Sequence, residues 1–228
     1  MKYGKLFEEQ KVLEWEDKYV HYAELKKLLK RAKVERKEGK LVLDDVPTEL
    51  ITTGDVAESA SAPSLLVEFW RLLHGDIELV LGWQADRLQE FSDRIQEIRD
   101  NLTALAEKKA RHRSQVIYRS KKVMLEDYFM LGNMVEYLKS NVVAVRKIVK
   151  KHDKMLEVHT LDTLLDHLEE ERSWGSLLDV VYELREIYEN LYSDAFCRGD
   201  DHKARNVLRG YHRPHEKEAL FTTGLFIG

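Results

Sequence analysis

Lys147, Lys150, Lys151 and Lys154 recur at i, i+3, i+4 and i+7. In a helix, 100° per residue puts all four ammonium groups on one strip. Exposed like charges on neighbouring turns repel by roughly a few tenths of a kcal/mol per pair. A polyanion lying along the strip would offset that repulsion. So would plain solvation, with the lysine stems lying over a helical bundle. The strip alone leaves both readings open. Cations gather in two places. Residues 26–40 hold eight Lys and Arg against two Glu, and residues 139–154 hold six against Asp153. The whole chain is nevertheless acidic, with 37 Lys and Arg against 41 Asp and Glu. An acidic chain that concentrates its cations in two segments is a candidate anion binder. Tyr22 and Lys26 lie one helical turn apart, where a phenol and an ammonium can donate to the same phosphate. The alternative for that pair is a packed tyrosine and a solvated lysine.

Other chemistry has less support. The sequence has no Walker loop, no GxGxxG, no GxSxG and no HExxH. His152, His159, Asp162, Asp166 and His167 are dense but lack a recognised metal-ligand spacing. His202, His212 and His215 fall in a polar tail. A Ser/His/Asp centre is unsupported, so no enzyme, metal or cofactor is expected. Cys197 is the single cysteine. It excludes an intrachain disulfide framework and Cys-rich zinc modules and fits a reducing, cytosolic setting. Trp15, Trp70, Trp83 and Trp174 sit at helical core spacing.

The elements that must position these groups are helices. Charged residues make up 34% of the 228, with 3 Pro and 11 Gly, a composition of long helices rather than strands and turns. Residues 2–14 predict a first helix with Leu6, Phe7, Gln10 and Leu13 on one side. Residues 16–37 predict a second, through Tyr19, Tyr22, Ala23, Leu25, Leu28, Leu29 and Ala32. Residues 41–63 read as a linker, with a helical turn at 56–59. Apolar residues then step by three or four through 64–115 and again through 116–158, with a polar turn or bend at 108–115. Two such helices bury their stripes by packing antiparallel. Thr160 reads as an N-cap, followed by a helix to 171, a break at Ser173, Trp174 and Gly175, and a helix over 176–197. In that last helix Leu177, Val180, Val181, Leu184, Ile187, Leu191 and Phe196 are expected inward. A short helix at 201–209 closes the pattern. The expected fold is all-α: an N-terminal helical hairpin (1–40) packed on a long two-helix hairpin (64–158), with closing helices over 160–192. Residues 193–228 form an extension ending in the uncharged run 219–227 (ALFTTGLFI).

The opening MKYGK, then Glu14, Trp15, Tyr19, Tyr22 and 25–28 (LKKL), resembles the start of an SPX domain. Residues 141–154 (NVVAVRKIVKKHDK) resemble that family's most diagnostic segment. The resemblance covers about residues 1–192. It implies a small helical hairpin on a long-helix bundle that binds inositol polyphosphates, such as inositol hexakisphosphate, and inositol pyrophosphates, and so reports phosphate status. By the same resemblance Tyr22, Lys26 and Lys150 hold one phosphate. Lys147, Lys151 and Lys154 form the surrounding lysine surface, and Lys2 closes over the ligand with the first helix. The sequence departs from the family at Val143 and Val145, where Thr or Gly and an aromatic are expected. Residues 192–209 and 221–228 are similar to the junction of SPX-EXS phosphate exporters. That likeness implies a cytosolic regulatory domain of a membrane protein, coupled to an EXS-type membrane domain, with a homodimer as a further possibility. The SPX module of a polyphosphate polymerase complex, or of a soluble signalling protein, is the alternative. A nucleic-acid or acidic-membrane binder using the same lysines would need interleaved stacking aromatics and net positive charge, and both are missing.

Overall fold

The computed structural model describes residues 3–41, 46–54, 64–107, 110–170 and 173–211. Among the described residues the chain is helical, without strands. α1 (Tyr3–Glu9) leads through a 3-10 turn (Leu13–Lys18) into α2 (Tyr22–Lys37). α3 (Thr48–Thr53) precedes the two long helices, α4 (Ser64–Thr103) and α5 (Ala110–Leu156), with a 3-10 turn (Ala104–Glu107) after α4. α6 (Leu161–Glu170), α7 (Ser173–Phe196) and α8 (Asp201–Arg209) complete the order. The chain forms two compact units, Met1–Ala85 with Glu136–Leu178 and Asp86–Val135 with Asp179–Gly228, so α4 and α5 contribute to both.

Within the first unit α4 and α5 are antiparallel, as the stripes require. Phe69 stacks on His152 at 5.0 Å, and Trp83 meets Tyr137 at 4.9 Å. Leu66, Phe69, Trp70, Leu73, Ile77 and Val80 of α4 are buried, as are Val145, Ile148, Val149 and Leu156 of α5. In the second unit Asp127 of α5 is buried, with the Arg94 guanidinium at 3.2 Å and the Tyr188 hydroxyl donating to it at 2.8 Å. α8 is capped by Asp200, which accepts from the Lys203 amide, and is tied back by Arg209 to Glu189 at 3.3 Å. α3 packs on α6 in the first unit.

Several boundaries differ from the sequence reading, each for a local reason. The second helix begins at Tyr22 rather than 16, because tertiary partners take the backbone groups just before it. The Tyr137 hydroxyl donates to the Lys18 carbonyl at 2.7 Å, and the Val20 amide donates to Asn141 Oδ1 at 3.0 Å. α1 ends at Glu9, and Leu6 and Leu13 are exposed, Leu13 by 85%, leaving Phe7 as the buried anchor. Ala23 also faces outward. α3 lies where a linker was expected, while the turn expected at 56–59 falls outside the described residues. α5 begins at Ala110, so 110–115 is helix instead of a turn. α7 begins at Ser173, so Trp174 and Gly175 lie inside it. Its buried face is Val181, Leu184, Tyr188 and Tyr192, while Val180 and Ile187 are exposed. Thr160 precedes α6, but its hydroxyl donates to Asp153 Oδ1 at 2.6 Å instead of capping. The Asp153 carboxylate accepts the Thr160 and Leu161 amides and so caps α6 from α5.

The buried tyrosines give the fold a pH limit. Burial pushes up the phenols of Tyr19, Tyr22, Tyr137 and Tyr188, and it pushes Tyr3 and Tyr192 to about 12. Each folded value lies above the unfolded one, so the fold prefers the neutral phenol. That contribution is complete below the unfolded value of about 10 and is lost as pH rises above it. The melting temperature should therefore fall steeply between about pH 10 and 12. Thermal melts by circular dichroism check this; an unchanged midpoint across that interval contradicts it.

Candidate functional site: a paired basic surface

α2 carries Tyr22, Lys26, Lys27 and Lys30, and α5 carries the lysine strip. Two side-chain hydrogen bonds fix how these helices lie. Val20 N–H to Asn141 Oδ1 and Arg36 Nη2 to Glu157 Oε2 both span 121 positions in sequence. The same offset at both ends means that α2 and this part of α5 run parallel and in step over about 24 Å. The offset sets Lys26 level with Lys147, Lys30 with Lys151, and Lys33 with Lys154. Glu157 reaches Arg36 from a left-handed backbone conformation (φ 53°), just beyond the end of α5. The other end is held by Asn141, which is fully buried and also donates to the Tyr137 carbonyl at 2.9 Å.

α1 closes one side of this surface. The Tyr3 ring lies edge-on to Tyr22 at 5.2 Å, and Lys147 Nζ sits 5.9 Å above the same ring. Tyr3 thus links the α2 group to the α5 strip. Its hydroxyl donates to the Ser140 carbonyl at 3.4 Å, and its high pKa comes first from burial and then from Tyr22. Phe7 packs on Tyr19 and Tyr22 beneath it. A Cβ on Gly4 would stand 3.2 Å from Tyr22 Cε1, so glycine lets α1 approach the tyrosine closely. Gly4, Tyr22, Ala23, Lys26, Lys27 and Lys30 line a cavity of about 260 Å³.

The N-terminus of α2 is anchored from α4. Asp76 is buried and receives the His21 amide at 2.8 Å and His21 Nδ1 at 2.6 Å. Burial raises the Asp76 pKa, and the His21 contacts oppose that rise. This pair holds the residue next to Tyr22.

The sequence-derived site residues fall as follows. Tyr22 is buried with Lys26 half-buried one turn on; Lys147, Lys150 and Lys154 are exposed and Lys151 half-buried on α5. Lys2 lies outside the described residues. Among the described residues Lys150 and Lys154 form no ion pair. Sequence reasoning gave Tyr3, Gly4, Asn141 and Asp76 no part in this surface and counted Lys30 only among the cations of residues 26–40. Tyr3 and Gly4 stood in the opening motif and Asn141 at the head of the segment 141–154; Asp76 gave no signal. Of the two departures from the family pattern, Val145 is in the core and Val143 is 41% exposed.

Residues 1–64 match the family model of the SPX domain. The SPX resemblance is borne out. "SPX domain-containing protein 1" of Arabidopsis thaliana is 29% identical over 161 residues, covering 68% of this chain and 56% of that protein. "SPX domain-containing protein 4" of the same plant is 27% identical over 176 residues, covering 68% and 55%. "Phosphate transporter PHO1 homolog 8", also of Arabidopsis thaliana, is 26% identical over 110 residues, covering 48% of this chain and 14% of the transporter. The chain spans about half the length of the SPX domain-containing relatives it matches. The SPX match itself holds α1, α2, α3 and the linker, whereas the α5 strip lies beyond it. Among the described residues no helix is long and apolar enough to cross a membrane.

Proposed function

We propose that this chain binds inositol polyphosphates and inositol pyrophosphates on the paired basic surface, and acts as a phosphate-status sensor rather than an enzyme. The observation that carries the reading is the parallel, in-step pairing of α2 and α5. It sets Lys26, Lys30 and Lys33 level with Lys147, Lys151 and Lys154, and Tyr3 stands between Tyr22 and Lys147. Tyr22, Lys26 and Lys150 would hold one phosphate. Lys147, Lys151 and Lys154 would meet the others, and Lys2 with α1 would close over the ligand. Each charge-assisted hydrogen bond contributes about 1.5–3 kcal/mol before ordering costs. Titration calorimetry with inositol hexakisphosphate, an inositol pyrophosphate and free phosphate tests this. Micromolar or tighter binding of the inositol ligands, falling steeply with salt, is expected. Free phosphate binding as tightly would sink the multidentate reading.

Regulation of a phosphate exporter is the proposed context. Its support is the transporter relative named above and the junction-like residues 192–209 and 221–228. In that setting the chain works at the cytosolic face beside an EXS-type membrane domain, and a homodimer is compatible with it.

A ligand that touches both helices favours the arrangement in which they are close, and with it the docking of α1. α1 has seven residues and one fully buried side chain, Phe7, so its local opening should be frequent without ligand. Hydrogen exchange should slow at 5–9 and around Lys26 when inositol hexakisphosphate is added. Protection confined to 147–154 would mean that the two basic segments do not act as one site.

A further inference from the structure

Residues 108–122 hold seven Lys and Arg and no Asp or Glu. The ligand surface proposed above uses none of them. From His112 to Arg119 every side chain except Val116 is exposed. Tyr118 is 70% exposed and Ile117 40%. Ser120 and Met124 mark the buried side of this stretch. At 100° per residue Tyr118 and Lys122 point away from that side, with Lys121 next to them. Among the described residues Arg113, Arg119 and Lys121 form no ion pair. Lys122 reaches Glu126 at 3.8 Å, one turn on along the same helix.

We propose that this opening stretch of α5 docks the chain on an anionic lipid bilayer. Charge selects the surface, because Arg113, Arg119, Lys121 and Lys122 are exposed on a stretch of α5 with no carboxylate before Glu126, and such a stretch is attracted to a negative leaflet. The exposed hydrocarbon selects the bilayer over an acidic protein groove. Tyr118, with its apolar ring and polar tip, suits the headgroup level. Lysine and arginine stems there lie along hydrocarbon and send their charges to lipid phosphates. Arg119 also lines a cleft of about 400 Å³ between α4 and α5, with Arg94, Glu97, Asn101 and Ser120.

The test is co-sedimentation of the 228-residue chain with vesicles of phosphatidylcholine alone or with about 30% phosphatidylserine added. Pelleting is expected with the anionic vesicles only, and it should weaken as salt is raised. The double variant Lys121→Glu/Lys122→Glu should bind about tenfold more weakly or worse. Tyr118→Ser should also bind more weakly. Lys150→Ala/Lys154→Ala should bind as the unaltered chain does. Both charge-reversed positions are solvent-facing, and matched melting temperatures confirm that the fold is kept; if that variant fails to fold, Tyr118→Ser decides alone. No pelleting, equal pelleting on phosphatidylcholine, or undiminished binding by the variants at 118, 121 and 122 overturns the proposal. So does a loss as large in Lys150→Ala/Lys154→Ala.

Discussion

Val149→Asp should abolish the cooperative fold. Val149 is fully buried on the core side of α5, beside Ile148. An aspartate there must ionise without a partner or take up a proton, and either route costs several kcal/mol. Total stability of a domain this size is about 5–15 kcal/mol, so that one change consumes most of it. Loss of the near-ultraviolet circular dichroism signal and of a cooperative melt is expected. Val143→Asp is the matched control, six residues earlier on the same helix and facing water. It should shift stability by no more than about 0.5 kcal/mol. If the two variants melted alike, α5 would not be buried as described.

Lys26→Ala combined with Lys150→Ala should weaken binding of inositol hexakisphosphate by about 100-fold or more, since two charge-assisted contacts are removed from two different helices. Stability should stay near the unaltered chain's or rise slightly. Lys150 loses like-charged neighbours one turn away on either side, and the apolar stripe of α5 is untouched. Calorimetry and a thermal melt on the same sample separate the two effects. A large drop in melting temperature would make these lysines structural; unchanged affinity would place the ligand elsewhere.

The long helices were legible because their apolar residues repeat over ten or more turns, where local preference and tertiary packing agree. Short elements were not. α3 has six residues, too few for a periodic stripe, although Pro47 before it and Gly54 after it are the punctuation of a helix start and stop. The start of α2 was misplaced because the backbone at 18–21 bonds to Tyr137, Asn141 and Asp76, which lie 55 to 121 positions away in the chain. No local pattern encodes such partners. The strip on α5 was readable as spacing along one helix, and Tyr22 with Lys26 as spacing along another. Their parallel alignment rests on two hydrogen bonds between distant residues, and spacing along a single helix says nothing about that.

If the proposed ligand lies on this surface, that alignment makes it a gauge of length. The levels set by Lys147, Lys151 and Lys154 extend over seven residues, about 10 Å of helix axis. A lone phosphate occupies one rung. A ring carrying several phosphates would reach from rung to rung only while both rails keep step, and the buried bond from the Val20 amide to Asn141 is the fastener against sliding, the exposed Arg36–Glu157 pair adding little. A slip of α2 by one turn would displace every rung by about 5.4 Å, roughly the spacing between rungs on a single rail. Discrimination by ligand size would then reside in Asn141, a buried side chain set apart from the lysines themselves.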